Sequence, residues 1–194
     1  MEKRHLPTLK SDRVELLLPD ESAAPRVLDY FVRNVPHHGF TLPDRPKDFL
    51  TEGYWRKRLV DDRSDFESDT SMRMFMFHRG ESAGPVIGDC GLTNFVRGPL
   101  QACFLGYGLD HDHVGRGLAF EGVGALVAYA FETLGFHRIM AGYLPTNERS
   151  GNLLRRLGFT VEGYARDYLY LNNAWRDHIL TALINPNPKP PPAP

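Results

Sequence analysis

Apolar residues alternate with polar ones along some stretches of this chain and recur at helical spacing along others, and the two periods divide it into elements. Val14, Leu16 and Leu18 share one face from Arg13 to Leu18, which predicts a half-buried strand. Pro19-Asp20-Glu21-Ser22 carries helix-start chemistry ahead of Val27, Leu28 and Phe31 and predicts a helix ending near Asn34. From Val35 to Pro46 the prolines, a glycine and the His37-His38 pair read as a loop between two helices. A second helix is expected from Lys47 to about Leu59, with Phe49, Leu50, Tyr54 and Trp55 as its bulky residues. The strongly polar stretch Asp61 to Asp69 reads as a mobile connection.

Met72 to Phe77 alternates as a strand whose methionines suit core packing, and Glu81-Ser82-Ala83-Gly84 turns the chain back along Pro85 to Gly88. After a connection at Asn94 to Pro99, Gln101 to Leu109 forms the next strand. A helix from Gly117 to Leu134 places Val123, Leu126, Val127, Ala130, Phe131 and Leu134 on one stripe and stops at Gly135. Gly122 and Gly124 each cost that helix about 1 kcal/mol relative to alanine, so close packing is expected there. Phe136 to Leu144 is a strand ended by Pro145. A short helix follows, capped by Asn147 or Ser150, with Leu153, Leu154 and Leu157 inward and Gly158 as its stop. Phe159 to Leu171 and Trp175 to Ile184 are the last strands, joined by a hairpin turn at Asn172-Asn173.

The stretch from Leu105 to Ala119 ends a strand, turns, brackets Arg116 with Gly115 and Gly117, and opens a helix. Glycines at a helix mouth let backbone N–H groups close on a ligand, and the helix dipole there favours an anion. About thirty residues on, Pro145 to Ser150 opens a second helix after a second strand, giving β-α-β-α around one place. A dinucleotide fingerprint would need glycine at Phe120, and no P-loop lysine follows Gly117. A phosphate-bearing cofactor of another kind fits.

Composition narrows the picture only modestly. With 194 residues, 42% hydrophobic and 24% charged, the chain suits one globular domain over residues 1–185, followed by a proline-rich, disordered tail at 186–194. A formal net charge of −1 gives no global attraction to nucleic acid or membrane. Cys90 and Cys103 lie in strand-like segments, and neither a signal peptide nor a long apolar span is apparent, so a cytoplasmic location is expected.

The segment from Leu105 to Gly158 resembles the acetyl-coenzyme A site of the GNAT superfamily. Asn94-Phe95-Val96-Arg97-Gly98, Leu105-Gly106-Tyr107, His137-Arg138-Ile139-Met140-Ala141, Arg149-Ser150-Gly151, Leu157-Gly158-Phe159, Glu162-Gly163-Tyr164-Ala165 and Trp175-Arg176-Asp177-His178 are together similar to the RimJ-type ribosomal-protein N-acetyltransferases. The resemblance spans Arg13 to Ile184. It implies an α/β (α+β) GNAT fold: a mostly antiparallel central sheet, splayed at the acetyl-coenzyme A site and flanked by helices. It also implies transfer of acetyl to the N-terminal α-amine of a protein, in that family a ribosomal protein. By the same resemblance Tyr107, Gly108 and Leu109 offer backbone groups to the pantetheine arm. Val114, Gly115, Arg116, Gly117, Leu118 and Ala119 meet the pyrophosphate, and Asn147 meets the cofactor near its pantetheine.

Three positions depart from the superfamily pattern. Phe104 stands where many members carry a glutamate base, Leu154 where many carry a tyrosine acid, and Asp112 where glutamine or arginine is usual. An α-amine with a pKa of about 7.7–8.0 costs about 1 kcal/mol to neutralise at pH 7, against about 4.6 kcal/mol for a lysine. A water relay suffices for the first. Ser150 is the expected proton donor to the departing thiolate or else a helix cap, and Asp167 the expected base or water holder or else a solvated carboxylate. Arg155 and Arg156 either form a solvated helix face or reach the cofactor's ribose phosphate. No metal is expected: His111-Asp112-His113 lacks a distant third partner, and Cys103 reads as core rather than nucleophile. Three readings stay open, namely a protein N-terminal acetyltransferase, a small-molecule amine acetyltransferase and a non-catalytic coenzyme A-binding sensor.

Overall fold

The computed structural model describes residues 5–38, 45–188 and 190. Its eight strands are β1 (Leu9–Lys10), β2 (Val14–Leu17), β3 (Met72–His78), β4 (Gly88–Val96), β5 (Ala102–Leu109), β6 (Arg138–Tyr143), β7 (Thr160–Leu171) and β8 (Ala174–Ile184). They form one sheet in the order β1-β2-β3-β4-β5-β6-β8-β7. All neighbours are antiparallel except β5 and β6. That parallel pair needs a crossover, which α3 (Leu118–Glu132) supplies.

Alternation along β3 assigns the two layers. Met72, Met74 and Met76 pack with Leu118, Val123, Leu126 and Ala130 of α3, while Phe75 and Phe77 pack with Tyr30, Phe31 and Trp55 of the two N-terminal helices. Those helices are α1 (Ala24–His38) and α2 (Glu52–Glu67). The methionine stripe is core. Gly122 is the point of closest approach between α3 and the sheet, since a Cβ there would lie 2.7 Å from Met76 Sδ and 2.9 Å from Met76 Cε. Both cysteines are buried and unbridged, and burial pushes the Cys103 thiol up to about 12.

Several sequence expectations shift. Helix α1 runs to His38 rather than stopping near Asn34, with Pro36 inside its last turn. A missing N–H there forfeits one helical bond, and Arg33 and Asn34 tie the turn to Asp110 through Arg33 Nε at 2.5 Å and Asn34 Nδ2 at 3.0 Å. The polar stretch from Asp61 is not mobile but is the second half of α2. Thr51 Oγ1 caps α2 by accepting from the Tyr54 amide at 3.2 Å, and Phe66 is buried. Asp62, only 3% exposed, accepts from Arg58 Nε at 2.8 Å, so its polarity hides an inward face. The expected strand at Pro85 to Gly88 begins only at Gly88 and continues through Asn94 to Val96. Residues 39–44 of the expected loop, and residues 189 and 191–194 of the expected tail, lie outside the described residues.

The chain's last helix, α4 (Glu148–Arg156), precedes the β7–β8 hairpin, whose tip residues Asn172 and Asn173 both have positive φ, 50° and 58°. Strand β7 is irregular between Ala165 and Leu169. Replacing Gly122 by alanine tests the α3 packing: helix propensity would gain about 1 kcal/mol, but overpacking against the fully buried Met76 costs about 2–3 kcal/mol. Denaturant unfolding should therefore show a net loss of stability rather than the gain typical of an exposed helical glycine.

Candidate active site

Strands β5 and β6 pair at Ala102↔Arg138, Cys103↔Ile139 and Phe104↔Met140, and then part. Beyond that point β6 stays with β8 as far as Tyr143↔Ile179, while β5 stays with β4. Leu105, Gly106, Tyr107 and Gly108 thus have β4 on one side and an opening on the other. Gly106 has empty space where a Cβ would be. Backbone N–H and C=O groups along such an edge are available to an extended ligand. Tyr107, Gly108 and Leu109, expected at the pantetheine arm, stand on this stretch of β5.

The strand then enters a 3₁₀ turn, His111–His113, whose N-cap Asp110 accepts from the Asp112 amide at 3.0 Å. Gly115 and Gly117 both adopt φ of 82°, which turns the backbone into α3. The Glu121 amide donates to the Gly117 carbonyl at 3.2 Å. Among the described residues, no carbonyl or side chain accepts from the amides of Gly115, Gly117, Leu118, Ala119 or Phe120, and Val114 and Gly115 form the turn that leads to Arg116. The Val114 amide is directed at the His111 carbonyl at 3.5 Å, so the unspent amides begin one residue later than the sequence suggests. Such a nest beside a helix N-terminus suits a diphosphate.

Cations gather there. Arg116 is exposed, and the Arg13 guanidinium lies 3.1 Å from the position a Cβ would take on Gly117. Arg13 Nε donates to Glu121 Oε1 at 2.6 Å, which holds that charge against the first turn of α3. The Arg156 guanidinium sits over the Phe120 ring at 4.5 Å, whereas Arg155 is turned to Asn152 Oδ1 at 3.0 Å. Of the two adjacent arginines, Arg156 is the one beside the nest. Arg13 was hidden from sequence reasoning, because only the β2–β3 register and the packing of α3 bring it across.

Asp110 anchors this corner. Burial alone would raise its carboxyl, but hydrogen bonds from Asn34, Arg33, the Asp112 amide and His113 outweigh that and hold it well below the usual carboxylate range. Asp110, His111 and Asp112 offer ligand atoms within 4.8 Å of one another. The buried member of that set already accepts from all four donors, and His111 and Asp112 stand in solvent. Its lone pairs are committed to the turn.

Across the opening lies α4. Asn147 Oδ1 accepts from the Ser150 amide at 3.1 Å, so Asn147 is the cap and the Ser150 hydroxyl is not. That hydroxyl meets the Tyr107 phenol instead, Oγ to Oη at 2.7 Å, and Tyr107 Oη also lies 3.3 Å from the Ser150 carbonyl oxygen. Burial pushes the Tyr107 phenol up to about 12, against a downward pull from Ser150. Gly151 admits the Tyr143 ring, since a Cβ on it would fall 2.7 to 2.9 Å from that ring's edge and hydroxyl. Asp167 sits in the β7 irregularity with φ of 47°, exposed, its amide donating to Asp177 Oδ1 at 2.8 Å. No hydrogen bond links it to Tyr107, Asn147 or Ser150. Leu154 is part of the core.

A mixed sheet that splays beside a parallel pair, with an anion nest at the helix leaving the splay, defines the acetyl-coenzyme A-dependent acetyltransferases. The chain belongs to that class: the acetyltransferase (GNAT) domain family matches residues 13–160. It is an N-acetyltransferase with acetyl-coenzyme A as co-substrate. Among known proteins it is similar to the ribosomal protein uS5-alanine N-acetyltransferase of Escherichia coli strain K12, 38% identical over 92% of this chain and 91% of that protein. The crystal structure of the ribosomal-protein-S5-alanine acetyltransferase of Vibrio fischeri superposes with a TM-score of 0.89 at 34% identity, covering 95% of this chain and 100% of that one. Mycobacterium smegmatis RimJ, solved in complex with CoA-disulfide, shares the fold with a TM-score of 0.83 at 22% identity, covering 94% of this chain and 88% of that one.

Asp110→Asn should lower stability by about 2 kcal/mol, because Arg33 then faces an uncharged amide. The sign with pH follows from the depressed native carboxyl: its contribution is complete above the ordinary carboxylate range and is lost as pH falls toward the native value. Thermal melts should thus show a constant deficit from about pH 5 to 8 that narrows below about pH 4.

Proposed function

We infer that the enzyme transfers acetyl to the N-terminal α-amine of a protein, with a ribosomal protein as acceptor and the cytoplasm as its place of action. The single observation that carries this is the set of amides at the start of α3, Gly115 and Gly117 to Phe120, with no acceptor among the described residues, beside the open edge of β5 that leads to Ser150. The Escherichia coli and Vibrio fischeri relatives are both named for an alanine of the corresponding ribosomal protein. Formal net charge of −1 gives no general affinity for RNA, and no helix among the described residues is long and apolar enough to cross a membrane. Residues 1–185 act as one catalytic unit.

In this reading the amides of Gly115, Arg116, Gly117, Leu118 and Ala119 take the pyrophosphate, with Arg116, Arg13 and Arg156 as its cations. Tyr107, Gly108 and Leu109 align the pantetheine, and the Asn147 side-chain amide nitrogen, not used by the cap, donates to it. A backbone N–H of β5, at Tyr107 or Gly108, polarises the thioester carbonyl. Ser150 protonates the departing thiolate, and Asp167 holds water at the acceptor side. An α-amine is neutral often enough at pH 7 to need only that, which accommodates Phe104 and Leu154 where a strong base and a phenolic acid would otherwise be needed.

Incubation of purified ribosomal proteins with acetyl-coenzyme A, followed by intact-mass measurement, should show a gain of one acetyl at a free N-terminus and none at a blocked one. A panel of polyamines and aminoglycosides that outpaced every peptide would replace this acceptor with a small amine, and tight binding without turnover would replace the enzyme with a sensor. Arg116→Glu should weaken coenzyme A binding about tenfold, equivalent to about 1.4 kcal/mol, with an unchanged melting curve. Equal affinity by calorimetry would remove Arg116 from the site.

A further inference from the structure

The Tyr107–Ser150 contact has a chemical meaning that its place in the fold does not require. The Ser150 hydroxyl has been released from helix capping by Asn147, and the Ser150 carbonyl at 3.3 Å and hydroxyl at 2.7 Å both face one phenol. Tyr107 reaches α4 from β5, across the opening where the two strands part. The Tyr143 ring lies against Gly151, the residue after Ser150 on α4. One hydrogen lies between the two hydroxyls, and the phenol's hydrogen has two acceptors in reach, the Ser150 carbonyl at 3.3 Å and the closer Ser150 Oγ at 2.7 Å. A phenol is the stronger acid of the two and the better donor, and when it donates to Ser150 Oγ the serine hydrogen is turned away from Tyr107.

We propose that Tyr107 is a positioning and relay residue: its phenol donates to Ser150 Oγ, aims the serine hydrogen at the departing sulfur, and replaces that hydrogen as it leaves. This rests on the acetyl-transfer reading above and adds a residue to it. The chemistry balances without an additional reagent. The amine nitrogen forms a bond to the acetyl carbon and the carbonyl π pair moves onto oxygen. On collapse the C=O bond re-forms, the C–S bond breaks with its electron pair on sulfur, and sulfur takes the Ser150 hydrogen as a proton. Ser150 takes the Tyr107 proton, and the proton shed by nitrogen returns through water to the phenolate. A lone serine would be left as an alkoxide, a much stronger base than the thiolate it had protonated. Passing the deficit to a phenol makes the donation less uphill. Burial pushes the phenol up to about 12, well above the pH of about 8 at which an α-amine becomes mostly neutral.

The test compares wild type, Tyr107→Phe, Ser150→Ala and the double variant on whichever amine the wild type acetylates best. Tyr107→Phe should lower kcat by about tenfold to a hundredfold, at the low end of general acid catalysis, while KM for acetyl-coenzyme A stays within about twofold. The double variant should be no slower than the slower single variant, because both hydroxyls serve one proton path. Solvent-deuterium proton inventory on the wild type should bow, reporting two protons in flight, and become linear in Tyr107→Phe. A full kcat in Tyr107→Phe, a loss confined to KM, losses that multiply in the double variant, or a linear wild-type inventory would each overturn the relay. The inventory decides the matter even if a variant does not fold. A wild type that prefers polyamines sinks the protein-acceptor reading alone and leaves these ratios to judge Tyr107. Failure of the ratios on a peptide acceptor sinks Tyr107 alone.

Discussion

A backbone edge cannot be left without hydrogen-bond partners in a dry interior, and this molecule is organised by the place where one strand edge loses its neighbour. Strands β5 and β6 lie parallel only as far as Phe104 and Met140. After that, β6 follows β8 and β5 follows β4, so the sheet opens without breaking. The edge that β5 leaves unpaired there runs into the glycine-bracketed turn that opens α3.

The rest of the fold keeps that geometry from relaxing. Asp110, 1% exposed, ends β5, caps the following turn and receives Arg33 and Asn34 from α1, so a helix on one face of the sheet holds the loop that opens on the other. On the α3 side, Gly122 lets the helix settle onto Met76, and Arg13 with Glu121 ties its first turn to β2. These are long-range contacts between rigid elements. They place the amides before any ligand arrives, which spares the binding step that ordering cost.

Much of this was legible in the sequence. Alternation gave most of the strands, and the Gly115-Arg116-Gly117 bracket marked the turn into α3, because turn glycines and periodicity are local properties. What was not legible depends on partners distant in the chain. The second half of α2 looks like solvent-loving loop until Arg58 and a buried Asp62 are seen to face each other. Helix α1 outlasts its proline because Asp110, far along the chain, holds its last turns. Arg13 reaches the first turn of α3 only through strand register. The phenol of Tyr107 becomes chemically interesting only when α4 is laid across the opening. Cap chemistry was ambiguous in sequence, since Asn147 and Ser150 are both good caps three residues apart, and a single amide-to-carboxamide bond settles it.

That division of labour between Asn147 and Ser150 reaches beyond this molecule. Because the asparagine alone terminates the helix backbone, the serine is released from structural duty and can be exchanged without fraying α4. The hydroxyl that faces Tyr107 is therefore uncoupled from the helix start, so a lineage could vary it through single replacements that never pass through an unfolded protein.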